Sequence, residues 1–251
     1  MDFAVETLLF LFFAAAVAGF MDTLAGGGGL ITIPALIVSG IPPIAALGTN
    51  KLQSSFGSGT ASFLLFKRKK IHWLELRPMM IAAFIGSAIG AVIVQFIDAT
   101  VLGFIIPLVL IIIAAYFITA PYLKLDSTEP RMSRRVYQNT IVPTIGIYDG
   151  MFGPGTGSFF AVAGVGLRAL KLINATAIAK PLNFATNIAS LIVFMVAGQI
   201  IWIAGAAMIL GQMLGAWLGS HYLFKINPKV LRILIVTICL IMLGHYWYRQ
   251  F

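Results

Sequence analysis

The chain has 251 residues, of which 60% are hydrophobic and only 10% are charged. Soluble globular domains contain about 45–50% apolar and about 25% charged residues, so this composition excludes an ordinary soluble domain. At about 20 residues for each helical crossing, the length accommodates roughly seven to nine crossings. The sequence therefore predicts an all-α, multi-pass integral membrane protein with about eight transmembrane segments.

The formal net charge of +9 would suggest a nucleic-acid partner if the protein were soluble. In this chain the basic residues lie mostly in short loops between apolar runs. Such residues orient membrane helices and contact the headgroups of lipids. We therefore expect membrane lipids, and no nucleic acid, as partners.

The first apolar run extends over about 3–25 and ends at a glycine-rich passage. Its flank carries Asp2 and Glu6, where a secretory signal peptide carries Lys or Arg, so we interpret the run as a transmembrane segment. A short apolar run (28–39) follows the glycines. Three ordinary spans are predicted next, at about 45–66, 76–96 and 101–120. The second half repeats this order, with a first run at 137–152, a short run at 156–167 and spans at 175–197, 200–221 and 229–247.

Two passages match each other: Gly19-Phe-Met-Asp22-Thr-Leu-Ala-Gly26-Gly-Gly28-Gly and Gly146-Ile-Tyr-Asp149-Gly-Met-Phe-Gly153-Pro-Gly155-Thr. The matching residues are 127 positions apart, and the spacing becomes 129 for the later pairs Lys51/Lys180, Trp73/Trp202, Gly86/Gly215, Gly90/Gly219 and Val101/Val230. A spacing kept over so many residue types indicates an internal duplication. We predict a first transmembrane repeat at 1–123, a cytoplasmic linker at 124–136 and a second transmembrane repeat at 137–251.

Two pairs of glycines, Gly86 with Gly90 and Gly215 with Gly219, lie at matched places in the two halves. Small residues four positions apart let two helices approach closely. We predict a packing role for both pairs and no direct chemistry.

The orientation of the halves depends on whether the first run of each half crosses the membrane. If that run and its glycine passage form a V that returns to its starting side, each half makes three net crossings and the halves are inverted. Fourteen of the seventeen Lys and Arg residues then lie on one side, whereas parallel halves would split them nine against five. The fourteen are Lys67, Arg68, Lys69, Lys70, Arg77, Lys124, Arg131, Arg134, Arg135, Arg168, Lys171, Lys225, Lys229 and Arg232.

Cytoplasmic loops are enriched in Lys and Arg, so the charge favours inverted halves with bent first and fifth segments. The basic side is then cytoplasmic and both termini lie outside. Parallel halves remain the alternative, because a helix over residues 3–25 would be about 33 Å long and could cross the bilayer outright.

The glycine passages are the first candidate site. Consecutive glycines end a helix, and freed backbone groups are tolerated in a bilayer only where protein or a water-filled cavity satisfies them. Broken helices at matched positions point to a transporter site, and a restarting helix directs its N–H groups at an anion. A purely structural role in packing or as a hinge is the alternative. The candidate residues are Gly27, Gly28, Gly29, Gly155, Thr156 and Gly157.

The second candidates are Lys51 and Lys180, at matched places near the start of the second span of each half. A cation in an otherwise apolar span needs a partner and is a functional-site hypothesis by default. The alternative is that each lysine extends to the membrane interface from its helix end. Polar neighbours that would complete an oxyanion pocket are Thr49, Asn50 and Gln53 in the first half, and Asn183 and Asn187 in the second.

The third candidates are Asp22 and Asp149, each four residues before its glycine passage. A carboxylate near the membrane interior needs a proton, a cation or a lysine. We predict either a protonatable coupling group or a counter-ion for Lys51 or Lys180 in the empty site. An interfacial residue at a helix end is the alternative.

Several chemistries lack their sequence signals. No Lys-Ser or Lys-Thr follows the glycines, so there is no phosphate-binding loop. The chain carries no Ser-His-Asp set, no His-Glu-x-x-His motif and no paired cysteine. We therefore expect no enzyme activity, no cofactor and no metal site.

The pattern Gly-Phe-x-Asp-x-x-Ala-Gly-Gly-Gly-Gly-Leu-x-Thr-x-Pro at 19–34, followed by Gly48-Thr-Asn-Lys51-Leu-Gln, resembles the TauE/SafE sulfite exporter-like family, also called the sulfite/organosulfonate permeases. The likeness covers essentially the whole chain and is closest to the bacterial "probable membrane transporter" branch. The second copy departs from the pattern, with Pro154 and Thr156 in place of glycine and Ala179 in place of Asn50.

The resemblance implies a multi-pass carrier of sulfur-containing oxyanions, such as sulfite, thiosulfate, sulfonates or related acids, in the bacterial inner membrane. We expect a secondary transporter that works by alternating access between the two repeats, with Asp22 and Asp149 as proton-coupling groups. An anion channel and a non-transporting membrane scaffold are the alternatives. The substrate, the direction of transport and the assembly into a homo-oligomer stay open.

Overall fold

The computed structural model describes residues 3–119, 129–222, 233, 236–244 and 248, and in these ranges all regular secondary structure is helical. The first-half helices are α1 (Val5–Ala25), α2 (Gly29–Val38), α3 (Pro43–Lys67), α4 (Trp73–Val94) and α5 (Ala99–Thr119). The second-half helices are α6 (Arg134–Asn139), α7 (Ile141–Met151), α8 (Thr156–Arg168), α9 (Leu172–Val196) and α10 (Trp202–Tyr222). Of the predicted last span (229–247), residues 233 and 236–244 are helical, and the remainder lies outside the described residues.

Five helices of the described chain are long and apolar enough to cross a membrane: α1, α4, α5 over Ala99–Phe117, α9 and α10. The expected helical, multi-pass membrane protein is thereby confirmed. Helix α3 has 25 residues but is not among the five. The polar stretch from Thr49 to Ser55 lowers its hydropathy, and that stretch is buried inside the protein, except Ser54, which is half-buried. The count of eight segments stays a prediction.

Both predicted interruptions are present in the structure. Helix α1 ends at Ala25, and Gly26 adopts a left-handed φ of 68° before α2 begins. Helix α7 ends at Met151, and Gly153 and Gly155 have φ values of 94° and 80° before α8 begins. Only glycine adopts such angles readily, so these residues fix where each helix stops.

The single run predicted over 137–152 is wrong in one respect, because the structure divides it at Thr140 into α6 and α7. Thr140 has φ −120° and ψ −66°, outside the usual helical region. Pro143 has no N–H to donate to the carbonyl of Asn139, and its ring would clash with that carbonyl in a continuous helix. The proline therefore lies in the first turn of a new helix, where it is tolerated.

The two predicted glycine pairs lie where helices cross at backbone distance. A Cβ added to Gly90 would lie 2.0 Å from the Ile147 carbonyl oxygen on α7, and one added to Gly215 would lie 2.0 Å from the Ala16 carbonyl oxygen on α1. Helix α4 thus packs on α7, and α10 packs on α1. The predicted packing role of these glycines is confirmed.

Contacts at both ends show that α3 and α10 run in the same direction. Near their starts, the Thr49 hydroxyl accepts a hydrogen bond of 3.0 Å from the Ile201 N–H. Near their ends, the Arg68 guanidinium, just after α3, donates a hydrogen bond of 2.7 Å to the Ser220 carbonyl in the last turn of α10. These helices, together with α9, surround the polar interior.

Candidate functional site

Two lysine side chains are fully enclosed in the helix bundle. Lys51 on α3 is 0% exposed and Lys180 on α9 is 1% exposed. Neither lysine extends to an interface, which removes that alternative for this structure. A buried ammonium group is tolerated only with a counter-charge or several hydrogen-bond acceptors, so the partners of each lysine define the site.

Lys51 is paired with Asp149 on α7. The distance from Nζ of Lys51 to Oδ2 of Asp149 is 2.9 Å, and the ammonium also donates to the backbone carbonyl of Asp149. Both side chains are buried. The carboxylate therefore neutralises the lysine in the interior of the protein.

Lys180 is paired with Asp22 on α1. Its Nζ lies 3.7 Å from Oδ2 of Asp22 and donates to the Asp22 backbone carbonyl. The other carboxylate oxygen, Oδ1, accepts hydrogen bonds from the backbone N–H groups of Gly27 (3.0 Å) and Gly28 (3.2 Å). The amides at the start of α2, which the sequence assigns to an anion, thus hold the protein's own carboxylate.

The two ion pairs differ because the glycine passages differ. Pro154 occupies the position that matches Gly27, and proline has no backbone N–H to donate. Among the described residues, the Asp149 carboxylate accepts no hydrogen bond from a backbone amide, and its Oδ2 is satisfied only by the charge of Lys51. Asp22 is therefore held by three groups, whereas Asp149 depends on one.

The two glycine passages lie against each other in the centre of the protein. The Ser158 hydroxyl donates to the carbonyls of Ala25 and Gly26, at 2.7 Å in the second case. A Cβ added to Gly29 would lie 3.1 Å from the Cα of Pro154. The Ser158 side chain therefore joins the start of α8 to the end of α1, and the backbones of the two passages lie close together.

Both ammonium groups lie beside the second glycine passage. A Cβ on Gly153 would come within 2.9 Å of Nζ of Lys51, and one on Gly157 would lie 3.7 Å from Nζ of Lys180. The missing Cβ at Gly153 thus leaves the space that the Lys51 ammonium occupies, whereas Gly157 lies at an ordinary contact distance from Lys180. Thr156 turns its hydroxyl to the Gly153 carbonyl (2.8 Å) and stabilises this passage.

In the first half, the predicted polar neighbours form a network between α2 and α3. Oδ1 of Asn50 accepts hydrogen bonds from the Thr32 hydroxyl (2.6 Å) and from the side-chain amide of Gln53 (2.9 Å). Oε1 of Gln53 is buried and has no hydrogen-bond partner within the described parts of the chain. Thr49 is directed elsewhere, to the amide of Ile201, so its hydroxyl joins helices instead of the lysine cluster.

In the second half, Asn183 lies beside Lys180. A Cβ on Gly157 would lie 4.0 Å from the side-chain nitrogen of Asn183, and Asn187 donates to the Asn183 carbonyl at 2.7 Å. Asn183 is thus a candidate to bind an anion together with Lys180. Asn187 positions it from the next turn of α9.

Sequence reasoning missed Thr32, which joins α2 to α3, and Ser158, which joins α8 to the end of α1. Both lie within three residues after the glycines, so hydroxyl side chains close to the glycines were the available signal. It also missed Gln212 on α10, whose buried Oε1 finds no hydrogen-bond partner in the part of the chain that the structure describes. Its side chain fits only because Gly57 has no Cβ, which would lie 2.4 Å from Cγ of Gln212.

The described residues contain no cluster of three His, Cys, Asp or Glu side chains that could hold a metal ion. The interior instead combines two cations, two carboxylates, helix N-termini and amide side chains. Such groups can bind an oxyanion if a carboxylate moves away, because the same N–H groups can then donate hydrogen bonds to the new anion.

The sequence profile described as "Sulfite exporter TauE/SafE" matches residues 11–246. A "Probable membrane transporter protein ORF9" of Sinorhizobium is 44% identical over 94% of this chain and 91% of that protein. A "Probable membrane transporter protein" of Haemophilus influenzae is 38% identical over 100% of this chain and 98% of that protein. YfcA of Escherichia coli K12, with the same description, is 41% identical over 96% of this chain and 90% of that protein.

No solved structure was found to match the chain. The matched relatives are named as membrane transporters, in agreement with the apolar helices and the buried charges. The chain is a multi-pass membrane transporter that belongs to the sulfite exporter TauE/SafE family.

Proposed function

We propose that the protein is a secondary transporter that carries small sulfur-containing oxyanions, such as sulfite, thiosulfate, sulfonates or related organic acids, across the bacterial inner membrane. The family's description as sulfite exporters supports this substrate class. The observation that carries the proposal is the pair of buried lysines at the broken helices, each neutralised by an aspartate.

The ion pairs suit a site that must be stable both with and without substrate. An unpaired ammonium group in the interior would be costly, so a carboxylate pairs with it while no substrate is bound. An incoming oxyanion replaces the carboxylate at the ammonium groups and is also bound by the Asn183 side chain, while the Gly27 and Gly28 amides continue to hold Asp22. The lysine is therefore never left without a negative partner.

The directions of the helices support inverted repeats. The matched spacing pairs α3 with α9 and α4 with α10. If the halves were parallel, α10 would run opposite to α3, as α4 does. The contacts of Thr49 with Ile201 and of Arg68 with Ser220 instead make α3 and α10 parallel, as inversion requires.

Helix contacts and ion pairs also connect the two halves. Helix α1 packs on α10 and α7 packs on α4, while Lys51 pairs with Asp149 and Lys180 pairs with Asp22. Each ion pair thus joins a residue of one proposed repeat to a residue of the other. Rocking of one repeat against the other would open both pairs together, which is the movement that alternating access needs.

The second half supports a V-shaped broken segment. The Met132 N–H, just before α6, donates to the Leu167 carbonyl at the end of α8 (3.1 Å), so the chain enters and leaves the V on the same side. Helices α7 and α8 have 11 and 13 residues, about 16 and 20 Å, and neither alone crosses a core of about 30 Å.

In this arrangement α1 with α2 forms the first of eight segments and α6–α8 form the fifth. The repeat boundaries remain as predicted at 1–123 and 137–251, and the linker at 124–136 lies partly outside the described residues. The arrangement places the carboxyl terminus outside the cytoplasm. A fused reporter that works only outside the cytoplasm should therefore be active. A cytoplasmic carboxyl terminus would contradict the inverted arrangement.

The transport experiment uses purified protein in liposomes, with labelled sulfite added to the external solution. Lys51→Ala and Lys180→Ala should each abolish uptake above that of empty liposomes. Lys171→Ala, which removes an exposed lysine at the start of α9, should transport normally and is the matched control. Normal transport by both buried-lysine variants would refute the site.

Two other functions make different predictions. An anion channel would share the basic site but would not accumulate labelled substrate in counterflow, whereas a carrier exchanges it. A membrane scaffold would gain no thermal stability from sulfite, thiosulfate or sulfonates, whereas a ligand that binds the folded state raises its stability.

A further inference from the structure

A cavity of about 220 Å³ lies between α4, α6, α8 and α9, apart from the lysine cluster. It has several times the roughly 30 Å³ that a water molecule occupies in the liquid. Its polar lining consists of Arg134, Tyr137 and Arg168, with Glu75 at the same cavity. It lies on the side to which the loop charges assign the cytoplasm.

The two guanidinium groups have unused donors. Arg134 donates to the Glu75 backbone carbonyl, and Arg168 donates through Nη1 to the Met132 backbone carbonyl. No carboxylate of the described residues forms an ion pair with either one. Each guanidinium has five N–H donors, so most of them are free for a guest.

Tyr137 is the second observation that points to a ligand. Its side chain is buried, with the residue only 4% exposed, and its hydroxyl has no hydrogen-bond partner among the described residues. Because Tyr137 lines the cavity, its hydroxyl is a donor that a guest there can use.

We infer that this cavity is a second anion site, which binds the oxygen atoms of a small oxyanion or of a lipid headgroup phosphate through Arg134, Arg168 and Tyr137. Guanidinium groups suit planar or tetrahedral oxyanions because they can donate two parallel hydrogen bonds. The Glu75 carboxylate is exposed and offsets one of the two positive charges, so the site keeps a net positive charge.

Helix α8 connects this cavity to the lysine cluster. Arg168, Gly164 and Phe160 line the cavity at intervals of four residues, and the same helix face continues to Thr156 in the second glycine passage. Phe160, which is buried, lies on this face between Gly164 and Thr156. This last step rests on the proposed function: the cavity is then a vestibule from which anions reach Lys180.

The first experiment measures binding of inorganic sulfite to protein in detergent micelles without phospholipid. Arg168→Gln and Arg134→Gln should each weaken binding about tenfold or more, because each removes charged hydrogen bonds. Arg135→Gln is the matched control, since it removes an exposed neighbouring arginine that does not line the cavity. Tyr137→Phe should weaken binding less and leave the fold intact.

The second arm measures anionic lipid retained by protein from nanodiscs that contain phosphatidylglycerol. Reduced retention by Arg168→Gln, with unchanged sulfite binding, would identify a lipid headgroup as the guest. If Arg168→Gln and Arg134→Gln match Arg135→Gln in both arms, the inference is wrong.

Sulfite binding is also measured with the cavity variants made in the double variant Lys180→Gln/Asp22→Asn. This double variant removes one central ion pair without leaving a buried charge unpaired. Residual sulfite binding that depends on Arg168 would support the second site even if transport fails. Loss of all such dependence, with normal transport by the wild-type protein, would refute the second site and leave the proposed function intact.

Discussion

Lys51 and Asp149 form a buried ion pair, with 2.9 Å between Nζ and Oδ2, although 98 positions separate them in the chain. The pair joins α3 to α7, at the end of a helix that the glycine passage interrupts. Removing one partner of a buried pair leaves a charge without compensation, whereas removing both leaves none. This difference separates the structural role of the pair from its role in transport.

Lys51→Ala alone should destabilise the protein by about 3–5 kcal/mol, because Asp149 would remain buried and unpaired. The double variant Lys51→Gln/Asp149→Asn should recover much of this loss but remain inactive in sulfite uptake. The single cysteine, Cys239, is buried, so a thiol-reactive dye reports thermal unfolding. A double variant that transports normally would contradict the role of Lys51 in binding.

Asp149→Asn should cost more stability than Asp22→Asn, by about 1–3 kcal/mol. The side-chain oxygen of an asparagine at position 22 can still accept from the Gly27 and Gly28 amides, whereas Pro154 leaves no such donor beside Asp149. The same dye assay compares the two variants in one detergent. Equal losses would mean that the amide hydrogen bonds do not distinguish the two sites.

The sequence alone predicted the interrupted helices, the two lysines and the two aspartates, because glycine runs and intramembrane charges have few physical explanations. It left open which aspartate faces which lysine. The pairing depends on α7 packing against α4 and α1 against α10, and such contacts between distant helices leave no local pattern. Coordinates were also needed to show that backbone amides hold Asp22 but not Asp149. The cause of this difference, Pro154 without an N–H group, was visible in the sequence.

Two local expectations failed for different reasons. The break at Thr140 has Pro143 as its only clear signal, yet Pro34, Pro78, Pro107 and Pro181 lie inside continuous helices. Proline alone therefore does not locate a break. Thr49 was grouped with the lysine because it is two positions away, but on a helix neighbours of that spacing point in different directions, and its hydroxyl contacts Ile201.

Asp149→Asn is expected to uncouple transport from a pH gradient, more than Asp22→Asn does. When substrate takes Lys51, the Asp149 carboxylate loses its sole charged partner and needs a proton, whereas Asp22 keeps two amide donors. The measurement is sulfite uptake into liposomes with and without an imposed pH gradient. Unchanged gradient dependence in Asp149→Asn would remove the proton-coupling role of this residue.

Gly90→Ala should separate α4 from α7 and destabilise the fold. The added Cβ would lie 2.0 Å from the Ile147 carbonyl oxygen, a backbone atom that cannot move aside without shifting the whole helix. Overpacking of this kind costs about 1–3 kcal/mol. Gly103→Ala on α5 is the control, because nothing lies within 4 Å of its added Cβ, and replacing a helical glycine there should gain about 0.5–1 kcal/mol. Thermal unfolding of both variants measures the difference. Equal stability would mean that α4 and α7 do not make backbone contact at Gly90. The proposed packing of α4 of the first repeat against α7 of the second would then lose its support.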